Sequence, residues 1–97
     1  MGDNIDETVK RIQQTKGVIG VVIMDWDGRA IKSTFDEAQT AQYTMQLHPL
    51  SEKARSTVAE LDNNDDLSFI RLRSRKHEIM IAPDKDYLLA VVQQPSS

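Results

Sequence analysis

Apolar residues first recur at helical spacing: Ile5, Val9 and Ile12 are four and three apart, one buried stripe of an α-helix. Asp3 or Asn4 suits its N-cap, and Glu7, three after Asn4, completes a capping box. Asp6 and Glu7 come early and Lys10, Arg11 and Lys16 late, which matches the helix dipole, and Gly17 supplies a stop. The period then changes. Residues 18–24, Val-Ile-Gly-Val-Val-Ile-Met, are apolar at odd and even positions alike. A half-wet antiparallel strand would alternate, so this run predicts a central strand with a helix on either side. Asp27-Gly28 marks a hairpin turn, and 29–34 returns as a more polar second strand.

Asp36, with Gln39 three residues on, opens a second helix over 37–61. Tyr43, Leu47, Leu50, Ala54, Val58 and Leu61 follow at spacings of 4, 3, 4, 4 and 3. At 1.5 Å per residue this helix is about 37 Å long, against a diameter of roughly 32 Å for a domain of this size. An element as long as its own domain invites cover from a partner. Pro49 removes the hydrogen bond to the Met45 carbonyl at a cost of about 3 kcal/mol, which predicts a kinked helix, with two abutting helices as the alternative. Asp62-Asn-Asn-Asp-Asp66 reads as a turn, followed by strands over 67–73, 77–82 and 87–92. Alternation puts Ile70 and Leu72 on one face of the first of these and Phe69, Arg71 and Arg73 on the other. The strand over 87–92 is again apolar on both faces and belongs beside 18–24. The expected fold is a single α/β (α+β) sandwich: a five-stranded, mainly antiparallel sheet with one helix on each face.

Composition narrows the function. Of the 97 residues 39% are hydrophobic, enough for one core, and none is cysteine, which excludes disulfides and thiolate chemistry. His48 and His77 stand apart without ligand-spaced companions. The apolar run 18–24 is far short of the ~18 residues of a membrane span. The acidic start, Met-Gly-Asp-Asn-Ile-Asp-Glu, is unlike a secretion signal and favours an intracellular protein. Pro95-Ser-Ser97 reads as a frayed tail. Net charge is −3, with five basic and seven acidic residues in 1–50 and seven and eight in 51–97. Asp62-x-Asn64-x-Asp66 begins like a calcium loop, but Leu67 and Arg73 stand where glycine and glutamate are needed. Arg71, Arg73, Arg75 and Lys76 crowd into six positions. Nucleic-acid binding would call for more positive charge and aromatic platforms, so this cluster reads as edge protection or a match for an acidic partner. No phosphate loop, nucleophile elbow or zinc-helix motif occurs. Trp26, Phe35 and Tyr43 are each candidates for a partner contact, with core or hairpin packing the commoner fate of such residues. The expectation is a non-enzymatic, self-associating module without cofactor or metal.

Several stretches carry a resemblance. Lys16-Gly-Val-Ile-Gly20, Ile31-Lys-Ser-Thr34, Lys53-Ala-Arg-Ser-Thr-Val58, Asn64-Asp-Asp-Leu-Ser-Phe69 and the long block from Arg71 to Lys85, with Tyr87 and Gln94-Pro95, resemble the roadblock-type dynein light chains. The resemblance covers nearly the whole chain, and the 71–85 block is its most specific part. It implies a homodimer, or a heterodimer with a paralogue, in which third strands meet edge to edge and second helices lie side by side. The ten strands would then form one continuous sheet. On that pattern Tyr43, Leu47, Leu50, Ala54, Val58, Ser68, Phe69, Ile70, Arg71 and Leu72 form the dimer interface. Met45, His48, Arg55 and Arg73 would contact the partner. The implied function is that of a non-catalytic dynein subunit that binds an intermediate chain linking cargo or arm structure to the motor. It would act in the cytoplasm and cytoskeleton, or in a cilium or axoneme. The alternative implied by related roadblock-fold proteins is a scaffold or regulator of a small GTPase. Arg29-Ala30, where the family usually has Ile-Pro, and Pro49 depart from the pattern.

Overall fold

Backbone pairing joins the two strands that are apolar on both faces. In a computed structural model, which describes residues 2–95, the elements are α1 (Gly2–Gln13), β1 (Val18–Asp25), β2 (Ala30–Ser33), α2 (Glu37–Leu61), β3 (Ile70–Arg73), β4 (Glu78–Pro83) and β5 (Tyr87–Gln93). All strand pairs are antiparallel, in the order β2-β1-β5-β4-β3. β1 and β5 are central, as their composition requires. Residues 96 and 97 of the expected tail lie outside the described residues.

The pleat divides the core into two layers. Val22, Met24, Ile81, Leu88 and Ala90 are buried with Leu47 of α2, while Val9 of α1 closes over Val21 and Ile23 on the opposite face. Gly20 is buried in β1, and a Cβ there would collide with the Phe35 ring. Phe35 in turn meets Tyr43, ring centroids 4.8 Å apart. Ile19, although inside the apolar run, is exposed, because the β1–β5 register slips between Val18 and Gly20.

The β1–β2 turn is built as Asp27-Gly28 suggests. Gly28 sits at φ +89°, and the Asp25 carboxylate accepts from the backbone N–H groups of Asp27 and Arg29, both at 2.9 Å. The Arg29 amide bond is the main reason the Asp25 carboxyl is held below its ordinary pKa. Asp36 caps α2, accepting from the Gln39 N–H at 2.8 Å.

Some boundaries differ from expectation. α1 already runs at Gly2, so Asn4 lies inside its first turn and not at the cap; the side chain of Asp3 is outside the described set. Gly17 lies four residues past the last helical residue, at φ +88°, in the turn into β1. β3 is shorter than 67–73. Continuing its register past Ile70↔Ile81 would set Ser68 against Pro83, which has no N–H to donate. β4 begins at Glu78, one residue after the expected start, because the His77 backbone closes the preceding turn: its carbonyl accepts from the Ser74 N–H at 2.9 Å.

α2 is one helix from end to end, 25 residues, and Pro49 does not split it in two. Its buried residues are Thr44, Leu47 and Ser51, not the full apolar stripe. Leu50 and Leu61 are 38% and 83% exposed, because at about 100° per residue they fall off the line through 44, 47 and 51.

Candidate functional site

α2 lies over β1 and leaves the β3–β4 corner of the same sheet face open. A groove of about 270 Å³ runs there, lined by Gln39, Gln42, Tyr43, Gln46, Leu47 and Ile79. Beside it stand Ile70, packed against the core cluster, and Leu72, 37% exposed. β3 is hydrogen-bonded to β4 on one side and closes the order of strands on the other, so among the described residues no strand pairs with its outer edge. The segment leading into it exposes Ser68 and Phe69, and the outer face of α2 exposes Met45 (71%).

The residues expected at an interface therefore divide. Ser68, Phe69, Ile70, Arg71 and Leu72 gather on or just before the sheet edge. Tyr43, Ala54 and Val58 are half-buried along α2, Leu47 is in the core, and Leu50 is exposed. Of the side chains expected to contact a partner, two, His48 and Arg55, meet at Trp26. Met45 and Arg73 are exposed, whereas His48 is half-buried and its Nε2–H donates to the Trp26 carbonyl at 2.6 Å. Through that bond His48 ties α2 to the β1–β2 turn, and its ring lies where a Cβ on Gly28 would crowd it.

Arg55 is anchored too. Its guanidinium lies 3.8 Å from the Trp26 ring centroid and donates to Glu52 at 2.9 Å. Trp26 donates its indole N–H to the Asp84 carbonyl at 3.0 Å. A hollow of about 340 Å³ opens between these groups and Asp66, Leu67, Pro83 and Lys85. The stacking of Arg55 on Trp26 was not evident in the sequence, where the two stand 29 positions apart (55 − 26). A charge centre at β3–β4 was also missed. Glu78 is buried, accepting from Gln93 Nε2 at 3.2 Å and pairing with Arg71 Nε at 3.5 Å. The strand period was the available signal, since 78 and 80 share a face and Arg71 pairs with Met80.

What this surface offers is edge backbone, exposed apolar groups and charge, the means by which proteins recognise proteins. A family model described as the Roadblock/LC7 domain matches residues 4–94. Among solved structures, a Roadblock/LC7 domain from Streptomyces avermitilis superimposes with a TM-score of 0.83 at 14% identity, covering 92% of this chain and 77% of that one. The gliding protein MglB from Thermus thermophilus gives 0.80 at 8% identity, covering 95% and 72%. An MglB structure with a tetrameric arrangement gives 0.80 at 8% identity, covering 95% and 71%.

Proposed function

The chain belongs to the Roadblock/LC7 domain family, and from that premise we propose that it is a non-catalytic assembly module that pairs with a second copy and presents the pair to a protein partner. The observation that carries this reading is the outer edge of β3, with which no strand pairs among the described residues, flanked by exposed Phe69 and half-open Ile70 and Leu72. An edge of this kind is a template for another strand, and an identical strand can cover it. The tetrameric arrangement of an MglB supports self-association in this fold.

Two partner classes follow. The likeness to gliding proteins, none of them a motor subunit by name, favours a scaffold or regulator of a small GTPase. A second reading, light chain of a dynein motor acting in cytoplasm or axoneme, rests on the block from Arg71 to Lys85, which forms β3, β4 and the turns beside them. Affinity capture from the native cell with the tagged chain separates the two readings. Recovery of a small GTPase in nucleotide-dependent amounts supports the first, and stoichiometric recovery of an intermediate chain supports the second. Recovery of neither would overturn both.

A further inference from the structure

Two oppositely charged segments flank β3. Before it, Asp62, Asp65 and Asp66 are exposed, the turn being closed by the Asp65 N–H on the Asp62 carbonyl at 3.0 Å. After it, Arg75 and Lys76 are exposed in the β3–β4 turn. Among the described residues no ion pair joins any of these five side chains to another group, whereas Arg71 is engaged by Glu78. Within one chain the two segments lie beyond opposite ends of β3.

Resting on the self-association reading, we propose that the Arg75–Lys76 turn of one copy clasps the Asp62–Asp66 segment of a second copy, and that this clasp selects the register and identity of the partner chain.

The argument is one of symmetry. Two identical edge strands joined about a two-fold axis run antiparallel, so the end of one lies beside the beginning of the other. The turn after Arg73 therefore comes alongside the segment that leads into Ile70 of the second copy. At no more than about 3.3 Å per residue, Arg75 can stand up to roughly 7 Å beyond β3 and Asp66 up to roughly 13 Å before it, and a long basic side chain bridges much of that difference. The same contact forms twice, once on each side of the axis. The four-residue β3 has few ladder bonds to fix its register, and a slip by two residues keeps every side chain on its face. Slipping does, however, pull acid away from base, so charge supplies what the short strand cannot. A related chain lacking either segment would be accepted less readily, because repulsion and missing partners weaken wrong pairings.

Charge reversal tests this on the full chain. Arg75→Glu/Lys76→Glu gives a copy acidic in both segments, and Asp65→Lys/Asp66→Lys gives one that is net basic in both. All four sites are exposed and outside the helices and strands, and circular dichroism checks that each variant is folded. Sedimentation equilibrium should show each variant alone associating at least about tenfold more weakly than the parent at low salt. Native mass spectrometry of the two mixed should show the heterodimer dominant. The milder Arg75→Gln/Lys76→Gln should weaken pairing without repulsion, and the parent dimer should loosen as salt rises. If the parent dimerises and both reversed variants dimerise equally well, the clasp is wrong while self-association stands. If the parent is itself a monomer at micromolar concentration, self-association fails and the clasp with it.

Discussion

Gly20 and Phe35 show how much one side chain can decide. The far end of the Phe35 ring occupies the place where a β-carbon on Gly20 would sit, so the aromatic closes directly on the central strand while meeting Tyr43. Gly20→Ala should destabilise the fold by about 1–3 kcal/mol, the usual cost of overpacking, less the few tenths gained by restricting the unfolded chain. Urea denaturation measures it, and adding Phe35→Leu should recover more than half of the loss. A Gly20→Ala protein as stable as the parent would show that the ring shifts freely. Nothing in the sequence paired Gly20 with Phe35, since glycine in a strand signals only that something approaches closely. Asp36 and Gly28, by contrast, were legible from residue type alone, because capping and a positive φ are local demands that neighbours three positions away can satisfy. The engagement of His48 with Trp26 was not, because it depends on where α2 crosses the sheet.

Among the elements, α2 is where legibility and its limit meet. Both ends match the expected 37–61, yet the buried line runs through Thr44, Leu47 and Ser51. Small polar residues let the helix approach the sheet closely, and a stripe drawn from apolar residues alone passes over them. Among the described residues the buried Ser51 hydroxyl meets no hydrogen-bond partner, and the small side chain suits the close approach of helix to sheet. β3 was drawn too long for a related reason: side-chain pattern reports which face is apolar, whereas pairing ends at Pro83, on the neighbouring strand. Pro49 allows a test at this scale. It is exposed and leaves the Met45 carbonyl without its helical donor, so Pro49→Ala should stabilise the protein by about 1–2 kcal/mol, the restored helix less the added freedom of the unfolded chain. A loss of thermal stability would instead mean that the packing of α2 relies on the proline.

For the molecule as a whole, α2 and the sheet match in scale: the longest principal extent is 37 Å. The helix is about as long as the protein is wide, and it exposes Leu50 and Leu61 on the flank that also carries Tyr43, with Met45 well round to the other side. A pair buried through the Leu50–Leu61 flank and the β3 edge should approach the ~2,000 Å² typical of permanent interfaces. Light scattering at micromolar concentration should therefore give twice the 11.0 kDa of one chain. A value of one chain mass would leave the exposed edge without its proposed cover. The strand order has a further consequence, for how the protein comes apart. The hairpins β1–β2 and β3–β4 are each local, and among the described residues no strand pairing joins them directly; within the sheet β5 lies between them, pairing Met24 with Leu88 on one side and Ile81 with Ala90 on the other. Closure across so much chain makes the docking of β5 the slow event of folding. Once docked, β5 is a keystone. Amides of β1 and β4, although their strands are not neighbours in the sheet, should exchange with solvent hydrogen through one shared opening, since releasing β5 exposes both at once.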